Sequence, residues 1–255
     1  VYTREGDYIY FGEYPQTLKA DDVTVGDVAD EDGYYLGSDG ERYAKVVADP
    51  CNSGYTFSDG SEVTYGETYY FKVEPIRWRI LSESGGSAFI LADGIIANRR
   101  SYNDYADGGL RAWLNGEFLN SAFGEVAQGL IETTEVDNSS YSTGYNSNPN
   151  ACENTFDKVF LLSYREVVNS AYGFAGSSST NDAARRMTVS DYARSTGAYI
   201  DTSSSCLGCG IWWLRSPDDY YSYYARYVDE YGNANDSRLV SNDDIGVVPA
   251  LNITL

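Results

Sequence analysis

The chain has 255 residues, with 38 acidic against 18 basic side chains, a formal net charge of −20 and no histidine. That charge repels phosphate backbones and anionic lipid, which excludes nucleic acid and anionic membrane surfaces as partners. The missing imidazole excludes Ser-His-Asp and Cys-His catalysis and every His-ligated metal site. At 42% hydrophobic residues the composition is globular. No run approaches the ~20 apolar residues of a membrane-spanning helix, and no signal-peptide pattern is legible.

In chain order, "YIYFGEYPQTL" reads as a short strand ending at Pro15. Residues 19–66 are acidic and Gly-rich, and Ser38-Asp39-Gly40 between alternating runs predicts a hairpin. This segment reads as an elaboration of the fold, not a separate domain. Ile76, Trp78 and Ile80 alternate with polar residues, so one face of that strand is buried. Gly85-Gly86 turns the chain, and "AFILA" is continuously apolar, as a central strand requires. The period then lengthens. Leu110, Trp113, Leu114 and Phe118 share one helical face, with Asp107 as the expected cap. A second helix is expected over residues 125–131, and residues 137–155 read as a long surface loop.

"KVFLLS" is expected as another buried strand. Ser163-x-x-Glu166 is a capping box opening a helix that Gly173 closes, and Thr188-x-x-Asp191 opens another, ended by Gly197. The strands "IWWLRS", "ARYVDEYG" and "GVVPALNITL" complete the chain, the last with a bulge or edge position at Pro249. Strands, then helices, then strands again, without βαβ alternation, indicate an α+β fold with mostly antiparallel pairing.

Trp78, Trp113, Trp212 and Trp213 all sit in patterned elements and are expected in the core, Trp212 and Trp213 on opposite faces of one strand. Arg215 is expected in a structural ion pair with a nearby carboxylate. Cys206 and Cys209 form a C-x-x-C that leads into an apolar strand, which points to a local disulfide or reduced thiols. Cys51 and Cys152 lack the paired spacing of a four-cysteine zinc site. Asp243 and Asp244 are oxygen ligands of the type calcium takes, but no calcium-loop spacing surrounds them. Carboxylates are abundant, yet nothing places two of them face to face as a glycoside hydrolase needs. No metal, cofactor or catalytic residue is expected.

The segment 218–244 has a different character. Tyr220, Tyr221, Tyr223, Tyr224, Tyr227 and Tyr231 are interleaved with Asp219, Asp229, Asn233, Asn235, Asp236, Ser237 and Asn242. No helix or strand period sorts them. Tyrosine supplies broad amphipathic contact area at low rotamer cost, and Ser, Gly and Asn supply adaptable hydrogen bonds, as in an antibody paratope. A Tyr-rich, soluble region without a partner has the same composition.

Six motifs occur in order: "FGEYPQ" (11–16), "EPIRWRIL" (74–81), "LRAWLNGEFLNSAF" (110–123), "DKVFLLS" (157–163), "WWLRSP" (212–217) and "GVVPAL" (246–251). The set resembles a large bacterial family of uncharacterised domains with a C-type-lectin-like fold, outlined also in formylglycine-generating oxidases. Val248 stands where such sequences often carry Arg, so an ion pair of that family is missing here. Some members resemble variable proteins of diversity-generating retroelements. In those, adenine-directed mutagenesis rewrites chosen codons, often Asn codons, near the C-terminus, and readily yields Tyr, Asp and Ser. The resemblance implies one lectin-like domain over residues 1–255, with 19–66 as hairpin-rich elaboration and 218–244 as the variable region. It implies a binding face that runs from Asp218 through the residues named above to Asp243 and Asp244. It further implies a non-enzymatic protein at a cell surface or outside the cell, with a protein or cell-surface molecule as ligand. The alternatives are a carboxylate-based enzyme and a structural domain of a larger surface protein.

Overall fold

The computed structural model describes residues 1–99, 101, 105–106, 108–203, 205–234 and 236–255. The chain opens with β1 (Tyr2–Glu5), β2 (Tyr8–Leu18), β3 (Val25–Ala29), β4 (Tyr35–Gly37), β5 (Arg42–Val47), β6 (Thr68–Ser84), β7 (Ser87–Ala92) and β8 (Ala97–Asn98). Helices α1 (Gly109–Trp113), α2 (Leu119–Ala122) and α3 (Glu125–Leu130) follow, then β9 (Thr134–Val136), β10 (Thr155–Asp157), α4 (Tyr164–Val167), β11 (Met187–Thr188) and α5 (Asp191–Ser195). The C-terminal part holds β12 (Cys209–Gly210), β13 (Trp212–Pro217), β14 (Tyr224–Val228), β15 (Asp236–Leu239), β16 (Gly246–Val247) and β17 (Ala250–Thr254). The architecture is α+β, with mostly antiparallel strands and a few short helices.

Strand β6 organises the larger sheet. β2 lies along one of its edges, while β5 and β7 follow one another along the other edge. β4 and β3 extend the sheet beyond β5, so residues 19–66 are continuous with it. Ser38-Asp39-Gly40 makes the expected hairpin, with Gly40 at φ 84° in the left-handed region. Ile76 and Trp78 are buried as the alternation requires; a register shift between Ile80 and Ser82 then turns Leu81 inward. β7 lies between β6 and β17, the central position that its apolar run predicts. β2 does not end at Pro15: it continues to Leu18, past the stretch covered by β1. There the proline's missing N–H costs no ladder bond, and the register shifts beside it.

Trp113, Leu114 and Phe118 are buried on one face, but the helix is not a plain α-helix. A π-helical turn, Leu114–Phe118, separates α1 from α2. It carries Asn115, whose side chain accepts from the amides of Lys158 and Val159 and donates to the Val159 carbonyl at 2.8 Å. "KVFLLS" is therefore buried but is not a strand. Its polar groups are met by the Asn115 side chain and by Arg215, with only an isolated bridge from Phe160 to Ala250. Arg215 pairs with Glu166 at 2.5 Å, the ion pair its position predicts. The Ser163–Glu166 capping box is present, and Gly173 closes the following 3-10 turn. The cap of α5 is Ser190, not Thr188, which lies in β11. The expected cap Asp107 lies outside the described residues.

The strand expected over "GVVPALNITL" is interrupted at Val248–Pro249. β16 belongs to the smaller sheet, β15-β14-β13-β16-β8, and β17 to the larger. Val248 is fully buried and apolar. Trp212 and Trp213 are both buried and donate in different directions, to the Arg185 and Arg99 carbonyls. A contiguous cluster of buried side chains joins both sheets and the helices. No helix among the described residues is long and apolar enough to cross a membrane.

Candidate functional site

The hairpin of β13 and β14 carries the Tyr-rich stretch. Its tip is built on Asp218. The Asp218 carboxylate accepts from the Tyr220 and Tyr221 amides at 2.9 and 2.8 Å and from the Ser237 hydroxyl at 2.8 Å. This is the aspartate turn that makes the residue type favourable at such a bend. Partial burial pushes the Asp218 carboxyl upward, but the Tyr221 and Tyr220 amides, Ser237 and the nearby Arg226 outweigh it and hold the acid below its usual range.

Four rings project from this turn. Tyr220 is 80% exposed, Tyr223 49% and Tyr221 46%, while Tyr224 is half-buried. The Tyr221 ring centroid lies 4.7, 5.6 and 5.4 Å from those of Tyr220, Tyr223 and Tyr224. Leu239, opposite Tyr224 on β15, extends the apolar surface. Asp236 is exposed on the same strand.

The tip is braced from behind by the segment expected to be a surface loop. Asn138, Ser142, Thr143 and Asn148 are buried. Asn148 and Asn150 donate to the Pro217 and Asp218 carbonyls at 3.1 and 2.8 Å. Arg226 on β14 is buried between the rings of Tyr145 and Tyr164, 5.0 and 4.3 Å from their centroids, and donates to the Tyr145 hydroxyl at 2.6 Å. Sequence reasoning missed Asn148, Asn150, Tyr145 and Arg226. Dense Asn in "NSNPN" is a local cue, but its pairing with residues almost 70 positions away is not encoded locally.

The expected site residues do not form one face. Tyr227 was expected to be accessible, but it is 7% exposed, with the Arg238 guanidinium 5.1 Å over its ring. β14 is covered on both faces from Ala225 to Val228, so Tyr227 is buried with its neighbours, and burial raises its phenol. Asp229, Tyr231 and Asn233 lie at the opposite end of β14, in the turn to β15. There the Asp229 carboxylate accepts from the Tyr231 and Asn233 amides, and Asn233 donates to Asn181 at 2.6 Å. These hydrogen bonds shape that turn. Asn242 turns the chain after β15, and Asp243 and Asp244 border a separate cleft beside Asn98 and Trp113. Asn235 lies outside the described residues.

Cys206 and Cys209 are joined in a local disulfide, whereas Cys51 and Cys152 are half-buried thiols. No group of three or more metal-ligating side chains gathers among the described residues.

Neither a curated protein nor a solved structure matches the chain. Residues 85–255, from the β6–β7 turn to the C-terminus and including the whole Tyr-rich hairpin, match the family described as Domain of unknown function (DUF6273), and the chain belongs to that family.

Proposed function

We propose that this chain is a ligand-binding protein of C-type-lectin-like architecture whose β13–β14 tip is a diversified surface, as in variable proteins of diversity-generating retroelements. One observation carries the reading. Tyr220, Tyr221 and Tyr223 form an exposed aromatic cluster on a turn held by Asp218, outside the core that Trp212 and Trp213 fill. An isolated cluster of rigid aromatic side chains in water is costly to keep without a partner and is typical of binding faces. The ligand is a protein or cell-surface molecule, the protein works at or outside the cell surface, and it carries out no catalysis.

The decisive experiment is to sequence the locus. A near-copy of the segment encoding residues 212–251, differing mainly at adenines and lying beside a reverse-transcriptase gene, is the expected result. Differences spread evenly over the scaffold codons, with no such copy, would overturn the reading.

A further inference from the structure

The Cys206–Cys209 disulfide precedes the tyrosine stretch in the chain and is built asymmetrically. Cys209 is 2% exposed and belongs to β12, where it pairs with Thr188 of β11. Cys206 is half-buried, and the residues on either side of it, Ser205 and Leu207, are exposed, Leu207 by 69%. One cysteine therefore belongs to the packed interior and the other to a surface turn.

Main-chain bonds give this turn its shape. Gly208 donates to the Asp201 carbonyl at 2.9 Å, Asp201 to the Cys209 carbonyl at 2.7 Å, and Val189 to the Gly208 carbonyl at 2.9 Å. Gly208 has a φ of 81°, and Arg194 packs against it so closely that a Cβ there would stand 2.6 Å from Nη2. Arg194 is itself held by the Val189 and Thr56 carbonyls, at 3.0 and 2.8 Å. These contacts do not run through a sulfur atom. The disulfide spans a separation of three residues and ties no distant segments together. A ring that short gains least from closure.

Thiol–disulfide exchange depends on which sulfur an attacking thiolate can reach and on how readily the other leaves. The cysteine within reach lies on the surface turn. The departing one lies in a strand that keeps it beside its partner for a return step. Arg194 also sets a guanidinium beside Gly208, next in the chain to Cys209, and a nearby cation favours a thiolate. Asp191, 3.9 Å from that guanidinium, has its carboxylate held by the Ser58 amide and hydroxyl.

We propose that Cys206–Cys209 is a thiol-exchange site: a small external thiol attaches reversibly to Cys206, and Cys209 is the leaving and resolving sulfur. The incoming thiolate bonds to Cys206 Sγ as the Cys206–Cys209 bond breaks. The electron pair of that bond goes to Cys209 Sγ, which takes a proton from water, so one disulfide replaces another with no net oxidation. In the return step the Cys209 thiolate attacks Cys206 Sγ and expels the small thiol.

Mass spectrometry of the folded, intact chain after incubation with β-mercaptoethanol tests this. The reaction is quenched with acid, free thiols are alkylated in denaturant, and the peptide carrying both cysteines is fragmented. The adduct should stand on Cys206 in roughly tenfold excess over Cys209, because burial shields the second sulfur. Removing the small thiol should restore the internal disulfide, and protein reduced with a phosphine should still unfold cooperatively. In Cys209→Ser the Cys206 thiol should be trapped by hydroxyethyl disulfide in folded protein, whereas in Cys206→Ser the Cys209 thiol should not. Absence of adduct until denaturant is added, adduct mainly on Cys209, or loss of cooperative unfolding on reduction each overturns the proposal. The unsubstituted chain decides it where a variant fails to fold.

Discussion

The two ends of strand β14 are made of the same residue types, and they behave oppositely. At each end an aspartate turns the chain by accepting two main-chain amides: Asp218 from Tyr220 and Tyr221, Asp229 from Tyr231 and Asn233. At the Asp229 end the turn is clamped. Gly232 lies so close to the Asp182 main chain that a Cβ would come within 2.1 Å of its carbonyl oxygen. Arg185, fully buried, donates to the Gly232 carbonyl and also to those of Val167, Ala175, Ser177 and Thr180. At the Asp218 end Tyr220, Tyr221 and Tyr223 are exposed. The backbone is braced by Asn148 and Asn150, and the rings stand in solvent. Composition alone thus does not make a binding surface. What separates the two turns is how much of the chain packs on them: the Asp229 turn is clamped by Arg185 and Asp182, while Tyr220, Tyr221 and Tyr223 are exposed at the other.

The largest effect should come from the clamp. Arg185→Ala leaves buried carbonyls without donors and should cost about 4 kcal/mol or more. Arg185→Lys should recover little of it, since an ammonium cannot reproduce the guanidinium's planar fork. Denaturant unfolding measures both, and an unchanged midpoint would show that the clamp does not hold the turn.

A sharper contrast lies within the hairpin itself. Tyr227→Ser empties a buried site and should cost roughly 3 kcal/mol. Tyr220→Ser, Tyr221→Ser and Tyr223→Ser should each cost less than about 0.5 kcal/mol, because exposed side chains are lightly coupled to stability. Equal costs for the two groups would erase the distinction between core-facing and displayed tyrosines.

The smallest effect is local and depends on pH. The Asp218 carboxyl is held below its usual range in the folded protein. Its contribution to the turn is therefore present above the ordinary carboxylate value of about 3.9 and is lost as pH falls through the depressed folded value. The Tyr220 and Tyr221 amide resonances should shift together on acidification, with a midpoint below that ordinary value and no transition in Asp218→Asn. A midpoint at or above it would mean that the carboxylate does not hold the tip.

Much of the scaffold was legible before any coordinates. The Ile76–Trp78 alternation, the Ser38-Asp39-Gly40 turn, the apolar face of Leu110, Trp113, Leu114 and Phe118, and the Ser163–Glu166 capping box are local patterns, and each occurs as expected. The failures share one cause. Thr188 lost the cap to Ser190 because pairing with Cys209 drew it into β11. "KVFLLS" is not a strand because distant side chains, Asn115 and Arg215, met its polar groups first. Residues 137–155 are partly buried because Pro217 and Asp218 offer them acceptors.

By itself the sequence determined the α+β class and the concentration of tyrosine between 218 and 244. Those follow from residue-level propensities and short periodicities. Only the tertiary structure decided that Tyr227 faces the core while Tyr220, Tyr221 and Tyr223 face solvent, and that Asp243 and Asp244 border a different cleft with Trp113. Burial depends on what packs against a side chain from far along the chain, and no local pattern records that.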